Sequence, residues 1–227
     1  MPKRVLEKII EQTQLHVEMI KDLGVKSLER GKLEPLYGKK TAALRKLKDI
    51  EINDCRRCKL SKTRTHIVFG EGDPNAKIFF VGEGPGEKED ETGRPFVGAA
   101  GKILTDIIER GIRIPRANVF IANVVKCRPP KNRDPEPDEV ESCRGFLEKQ
   151  VRIVSPRVVV ALGKVAAQFL LGTEEPISRI RGNWHEFMGF PVMPTFHPAY
   201  LIHNPGGKRE VWNDIKQVLS FLAEEKQ

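Results

Sequence analysis

Polar residues in three separate stretches of the chain could together form a site for a small ligand. Glu83 follows a short apolar run at residues 77–81, Asn123 lies near the end of a second run, and His197 follows a third run. Apolar runs of this length, rich in β-branched and aromatic residues, indicate buried strands. Open α/β sheets bind ligands at the carboxyl ends of their strands. We therefore predict that these three side chains meet at one edge of a sheet.

The segment after the first run, residues 82–102, has the sequence GEGPGEKEDETGRPFVGAAGK and precedes an apolar helical pattern. Gly84 and Gly86 would let a ligand approach the backbone, and Pro85 stiffens the turn. The G-x-G-x-G spacing is not that of a dinucleotide site, no G-K-[ST] follows, and the acidic residues of the segment would repel a phosphate. The segment is predicted to bind a neutral polar ligand. The alternative is an ordinary connection with solvated acids.

Four cysteines form a second candidate site. Cys55 and Cys58 are a C-x2-C pair, and 68 residues later Cys127 and Cys143 follow at C-x15-C spacing. Structural zinc sites usually have two tight pairs, whereas a [4Fe–4S] cluster tolerates looser spacing. Basic residues flank the cysteines and would stabilise thiolates, which disfavours the third possibility, inert buried thiols. Zinc and an iron–sulfur cluster both remain open on spacing alone.

The elements that must position these residues alternate along the chain. Strands are predicted at 77–81, 118–125, 157–162 and 192–196, helices at 103–108, 139–154, 164–171 and 211–225, and a short hairpin arm at 183–189. Such alternation indicates an α/β fold with a mostly parallel sheet covered by helices on both faces.

Residues 1–50 are predicted to be a helical, basic extension, and residues 51–227 the main domain. Leu6, Ile10, Thr13, Val17 and Ile20 lie on one face of a helical pattern. A loop is predicted at 31–38, followed by a helix that Thr41 would cap. Residues 1–49 hold 12 basic and 7 acidic residues, and so carry +5 of the net charge of +8. The extension is either a helical flap with a solvated basic face or an arm that helps to hold nucleic acid.

Composition indicates the cellular compartment and the kind of partner to expect. The chain has no signal-peptide pattern and no apolar run near the roughly 18 residues of a membrane span. We expect a cytoplasmic protein in a reducing compartment, whose cysteines are not a disulfide framework. The charged fraction of 31% and the basic excess suit a polyanionic partner or a heat-adapted surface of ion pairs.

Taken together, these motifs resemble the family 4 uracil-DNA glycosylases, the iron–sulfur branch of that superfamily known from heat-adapted bacteria and archaea. The resemblance covers residues 51–227 and rests on C-x2-C at 55–58, GEGPGEKED at 82–90, GRPFVG at 93–98, Asn123 with CRPP at 127–130, Cys143, and HPAYL at 197–201. It implies a [4Fe–4S] cluster on Cys55, Cys58, Cys127 and Cys143. It also implies a three-layer α/β/α sandwich around a four-stranded parallel sheet. The implied activity is removal of uracil from single- or double-stranded DNA.

The resemblance also implies roles for the uracil-binding residues, which are Gly82, Glu83, Gly84, Phe96, Asn123 and His197. Phe96 would form a stacking floor, Asn123 would read the base edge, and His197 would donate to uracil O2 as negative charge develops there. Without the resemblance, each has an ordinary structural explanation: a core aromatic, an asparagine in a turn and a hydrogen-bonded histidine.

Two carboxylates are candidates for the remaining chemistry. Family 1 enzymes carry an aspartate as general base at the position of Gly84, so that base is missing here. Glu83 is the first candidate for orienting water or stabilising the sugar. Glu89 could share that catalytic role or exclude the methyl group of thymine. No lysine stands out as a Schiff-base nucleophile, so a monofunctional glycosylase is expected. The protein is also expected to be a monomer.

The chain departs from the family pattern after the last motif, where Leu-Leu-Arg is replaced by Leu201, Ile202 and His203. Lys208 or Arg209 could supply the lost phosphate contact. The surfaces predicted to face DNA are the 201–209 loop, the proline-rich loop after Cys127 and the basic segment 56–64. The first fifty residues have no counterpart in minimal family members and could bind repair or replication partners.

Two interpretations compete with a family 4 glycosylase: a family 5 glycosylase and a non-catalytic iron–sulfur module that binds DNA.

Overall fold

The computed structural model describes the backbone of residues 30–224 and the side chains of residues 38–224. Contacts divide the chain into two units, Met1–Gly38 and Lys39–Gln227. The predicted helix containing Leu6 and Ile20 lies outside the described residues. All of the candidate site residues belong to the larger unit.

The larger unit is built on a mixed six-stranded sheet. Its strands are β1 (Glu71–Gly72), β2 (Ile78–Gly82), β3 (Phe120–Asn123), β4 (Val158–Leu162), β5 (His185–Phe187) and β6 (Phe190–Thr195), in the order β1-β3-β2-β4-β6-β5. The four central strands are parallel, and β1 and β5 are antiparallel edges. The four predicted strands and the hairpin arm are confirmed, whereas the two-residue strand β1 was not predicted.

Residues of the central strands alternate between two hydrophobic cores, one on each face of the sheet. Phe79 and Val81 face one core, while Ile78 and Phe80 face the other, and all of β2 is buried. Burial on both faces is why this strand is continuously apolar rather than alternating. The predicted three-layer α/β/α sandwich is therefore confirmed.

Eight α-helices lie in the described part of the chain: α1 (Arg30–Lys46), α2 (Glu87–Thr92), α3 (Ala99–Asp106), α4 (Pro137–Val154), α5 (Gly163–Leu171), α6 (Ile177–Ile180), α7 (Tyr200–His203) and α8 (Lys208–Glu224). Helix α4 begins with Pro137 at its first position and a capping box between Glu136 and Glu139. Helix α2 ends at Gly93, whose positive φ of 70° suits glycine.

Two local predictions are corrected by the structure. Residues 31–38 are helical rather than a loop, and Thr41 lies inside α1 rather than at its N-terminus. Leu44 near the end of this helix and Leu47 directly after it are buried in the core, and tertiary context of this kind often overrides local propensity. The segment 82–102 is likewise interrupted by helix α2. None of the described helices is long and apolar enough to span a membrane.

Candidate active site

The three predicted polar residues meet at the carboxyl edge of the parallel sheet, as expected. Glu83 follows β2, Asn123 ends β3, and His197 comes two residues after β6. All three line one cavity of about 370 Å³. Gly84, Phe96 and Glu89 also line it, so the segment after β2 and the other two strand ends form one site.

Asn123 carries an unsatisfied hydrogen-bonding group. Its side chain is buried, and Oδ1 has no hydrogen-bond partner among the described residues. An unpaired buried acceptor is costly, so native proteins keep few of them without a functional reason. Gly82 pairs with Asn123 across β2 and β3, and a Cβ at Gly82 would lie 2.4 Å from this oxygen. The glycine therefore makes room for the amide, although it is not among the residues that line the cavity.

His197 is held as a neutral imidazole with a defined tautomer. Its Nδ1 accepts a hydrogen bond from the backbone N–H of Ala199 at 3.1 Å. The ring proton must therefore be on Nε2, which makes Nε2 a donor. Burial lowers the pKa of His197 to about 4, with Glu89 acting weakly in the opposite direction. At neutral pH the site thus contains an uncharged N–H donor.

Glu83 is a carboxylic acid with a strongly raised pKa. Burial raises it to about 7, the negative charge of Asp134 adds to the shift, and Lys164 partly offsets it. The cavity thus contains a carboxyl group that titrates near neutral pH, as a general base requires. At Gly84, a Cβ would lie 2.8 Å from Cγ2 of Val125, so a larger side chain fits there only if Val125 moves.

Phe96 contributes an aromatic face to the cavity. Its ring centroid lies 5.7 Å from that of His197. Its backbone has φ 51°, an unusual conformation for a bulky residue that costs about 1–3 kcal/mol. Strained residues of this kind concentrate at functional sites, and this one holds a ring against the residues proposed to bind a ligand.

Glu89 lines the cavity, but one of its oxygens is already engaged. Oε1 accepts hydrogen bonds from the backbone N–H groups of Val97 and Gly98, both at 2.8 Å. These two residues follow Phe96 directly. Glu89 therefore fastens the segment that carries the aromatic ring, a role that the sequence did not suggest.

The four cysteines line one narrow cavity within the core that contains Phe79 and Val81. Ile52, Ile67 and Phe146 supply apolar walls, and Arg57, Arg64 and Lys126 also border it. Burial raises the pKa of Cys127 to about 12, and Arg64 Nη1 donates to its Sγ at 3.5 Å. In the described part of the chain, no three His, Cys, Asp or Glu side chains converge on a position for one metal ion. All four thiols nevertheless border the same cavity.

Lys126 is one of the basic residues predicted to flank the cysteines, and its contact with the backbone of Asn123, which was not predicted, connects the cysteine cavity to the site. Its buried Nζ donates to the Asn123 carbonyl oxygen at 2.7 Å and to Gln150 Oε1 at 2.6 Å. Burial lowers the pKa of Lys126 to about 7. A lysine within the apolar stretch that follows Asn123 was the available signal, because a buried lysine requires specific partners.

The predicted DNA-facing residues differ in exposure. Leu201 is packed into the core, whereas Tyr200 and Ile202 beside it on α7 are exposed. Lys208 and Arg209 are exposed at the start of α8. Pro129, Asn132 and Arg133 from the proline-rich segment line the cavity, whereas Lys208 borders a different cavity. None of these three residues is among the individually predicted site residues.

Residues 69–216 match the uracil DNA glycosylase superfamily. The chain belongs to this superfamily.

Individual relatives indicate the type-4 branch of the superfamily. A type-4 uracil-DNA glycosylase of Thermotoga maritima is 48% identical over 77% of this chain and 92% of the relative. A type-4 enzyme of Sulfurisphaera tokodaii is 44% identical over 78% of this chain and 83% of the relative. A third type-4 enzyme, from Archaeoglobus fulgidus, is 44% identical over 74% of this chain and 88% of the relative. The predicted resemblance to the type-4 branch is thereby confirmed.

Proposed function

We propose that this protein removes uracil from DNA by hydrolysing its N-glycosidic bond and leaves an abasic site. The observation that carries the proposal is the 370 Å³ cavity in which an unpaired buried amide, a neutral imidazole donor and an aromatic ring lie together. The type-4 relatives bear the name of this activity. A base inside a duplex cannot reach such a cavity, so the nucleotide must be flipped out.

Recognition of uracil falls to Asn123 and Phe96. The unpaired Oδ1 of Asn123 can accept from uracil N3–H, while its amide N–H donates to O4. Cytosine has an acceptor at N3 and a donor at C4, so the same amide would face two mismatched groups. A site built in this way can discriminate by about 10⁴-fold or more. Stacking on Phe96 contributes about 1–3 kcal/mol irrespective of base identity.

Bond cleavage relies on His197. As the bond between uracil N1 and the sugar C1′ breaks, its electron pair moves to the base and is shared between N1 and O2. The Nε2–H of His197 donates to O2 and stabilises this charge. A neutral donor is effective because it is preorganised, and one such donor is typically worth about 2.7–4 kcal/mol.

Glu83 acts on the sugar side of the bond. Its carboxylate orients a water molecule towards C1′ and stabilises the positive charge that develops on the sugar. The water oxygen bonds to C1′, and its released proton ultimately neutralises the departing uracil anion. We assign Glu89 to holding the Phe96 segment and shaping the C5 side of the pocket.

The donor set at the second cavity fits a [4Fe–4S] cluster held by Cys55, Cys58, Cys127 and Cys143. Buried thiols with raised pKa values stay protonated unless a cation holds them as thiolates, and Arg64 already donates to one sulfur. When bound, the cluster supplies a covalent cross-link between distant parts of the chain. We assign it a structural role, because the cysteines line a cavity separate from the proposed uracil pocket.

DNA would contact the rim of the pocket. Lys208 and Arg209 are exposed and so available for phosphates, and Ile202 and His203, a few residues earlier in the chain, are exposed as well. Leu201 would reach DNA only if α7 moved, because its side chain is in the core. All of the proposed uracil-binding residues come from one chain, so we propose that the protein acts as a monomer.

Incubation with a uracil-containing oligonucleotide, followed by alkali, tests the proposed activity. Strand cleavage should occur at uracil after alkali treatment, and matched oligonucleotides with cytosine or thymine at that position should stay intact. Cleavage before alkali would contradict monofunctional chemistry. Binding without any base release would instead identify a non-catalytic DNA-binding module.

A further inference from the structure

The residue proposed as the stacking floor is held in a conformation that its own sequence does not favour. Phe96 has a positive φ, and two glycines make room for it. A Cβ at Gly82 would lie 2.5 Å from the Phe96 ring, and a Cβ at Gly101 would lie 2.0 Å from the Phe96 carbonyl oxygen. Because left-handed backbone is unfavourable for phenylalanine, surrounding contacts must hold it.

One of those contacts comes from a distant arginine. Arg116 Nη2 donates to the carbonyl oxygen of Pro95, the residue before Phe96, at 2.8 Å. After Phe96 in the chain, the N–H groups of Val97 and Gly98 donate to the Glu89 carboxylate. The backbone is thus fastened immediately before and immediately after Phe96 by two charged side chains.

Arg116 is itself fixed in place. Its Nη1 donates to Thr105 Oγ1 at 3.1 Å, and Nη2 also reaches Glu71 Oε1 at 3.1 Å. The side chain is only 16% exposed. Glu71 lies on β1, which pairs with β3, the strand that ends at Asn123. Arg116 therefore ties the Phe96 segment to the strand that carries the base-reading amide.

Arg94 provides an internal comparison. It also pairs with Glu71, through Nε at 2.8 Å and Nη2 at 3.3 Å. Its side chain is 63% exposed. Among the described contacts it has no side-chain hydrogen bond to the backbone around Phe96. Two arginines thus share one carboxylate, but only one of them holds the stacking segment.

We infer that Arg116 is a positioning residue. It sets the Phe96 ring at the distance from Asn123 and His197 that is needed to bind a flipped uracil. This inference rests on the proposed role of Phe96 as the stacking floor. Arg116 acts through the Pro95 carbonyl and does not line the pocket itself. Misplacement of a substrate by about 1 Å can lower a rate by about 10²-fold.

A double-mutant cycle tests the inference. We would measure single-turnover excision at saturating enzyme, and inhibition by free uracil, for Arg116→Ala, Phe96→Ala and the double variant. Both single variants should lose about 10- to 100-fold in rate and bind uracil more weakly. The double variant should be no slower than Phe96→Ala alone, because the two residues act in series. Arg94→Ala is the matched control and should keep the wild-type rate and uracil inhibition.

Two further measurements separate positioning from loss of folding. Melting temperatures identify any variant that fails to fold. Arg116→Lys serves as a second variant, because it keeps a positive charge for Glu71 but lacks the fork that also reaches Thr105 and Pro95. It should melt near the wild-type temperature and still excise uracil more slowly.

The outcomes distinguish the inference from the function on which it rests. Phe96→Ala with wild-type excision would overturn the stacking role and the inference together. An impaired Phe96→Ala with a fully active Arg116→Ala would overturn the inference alone. Rate losses that multiply in the double variant, or an Arg94→Ala loss equal to that of Arg116→Ala, would also overturn it.

Discussion

At the scale of single residues, recognition and bond cleavage are assigned to different side chains, and their variants should fail differently. Asn123→Asp places an acceptor where uracil O4 needs a donor. We therefore expect loss of uracil excision with, at most, weak activity on cytosine, which would require the other carboxyl oxygen to be protonated. Single-turnover assays on uracil and cytosine oligonucleotides measure both effects. Full uracil activity in Asn123→Asp would contradict the assigned role.

The imidazole donor should affect rate rather than selectivity. His197→Ala removes the Nε2–H aimed at uracil O2, so the single-turnover rate should fall by about 10²–10³-fold while uracil remains preferred. Affinity for a uracil oligonucleotide, measured separately, should change much less than the rate. Wild-type cleavage by His197→Ala would show that another group stabilises the departing base.

The pH dependence should follow Glu83. Its pKa is raised to about 7 and the carboxylate is the active form, so kcat/KM should fall as the pH drops through about 7. His197, with a pKa lowered to about 4, stays neutral over this range and contributes no inflection. Glu83→Gln should be slow and lose the inflection, whereas His197→Ala should be slow and keep it. An unchanged inflection in Glu83→Gln would assign the titration to another group.

At the scale of elements, the fit between β2, β3 and the Phe96 segment depends on one missing side chain. Gly82→Ala would place a methyl group within 2.6 Å of both the Asn123 amide oxygen and the Phe96 ring. We expect this variant to lose most uracil excision and to be destabilised. Gly145→Ala is the control, because nothing lies within 4 Å of its added Cβ on α4. It should stabilise the protein by about 0.5–1 kcal/mol. Thermal unfolding and excision assays on both variants check this prediction.

Element order was readable from the sequence because the strands are short, apolar and separated by helical patterns. The same logic placed Glu83, Asn123 and His197 together, since parallel strands end at one edge. The hydrogen bonds that fix the backbone around Phe96 could not be predicted from the sequence. Glu89 and Arg116 bond to backbone groups on either side of Phe96 in the sequence, and such bonds have no signature in side-chain type or spacing. Strand β1 was missed because two residues are too few to show a period.

At the scale of the whole molecule, the cysteine cavity should contribute to stability more than to chemistry. Its four thiols come from the segment before β1, the segment after β3 and helix α4, so a bound cluster would join distant parts of the chain. Cys143→Ser should lower the melting temperature markedly while leaving the relative preference for uracil unchanged in the folded fraction. The purified wild-type protein should contain iron and labile sulfide. One equivalent of zinc in a colourless, active preparation would contradict the proposed cluster.

The charge of the N-terminal region divides unevenly between the two compact units, and this changes what a truncation should do. Residues 39–49, which belong to the larger unit, hold five basic and one acidic residue, a net charge of +4, whereas residues 1–38 hold seven and six, a net charge of +1. Each phosphate contact made by Lys or Arg contributes about 0.9 to the slope of log affinity against log salt. Deleting residues 1–38 should therefore leave the excision rate unchanged and alter that slope by less than about 1. Extending the deletion through residue 48 should destabilise the fold, because it removes the buried side chains of Leu44 and Leu47. An inactive but folded 1–38 deletion would show instead that the first unit takes part in the active site.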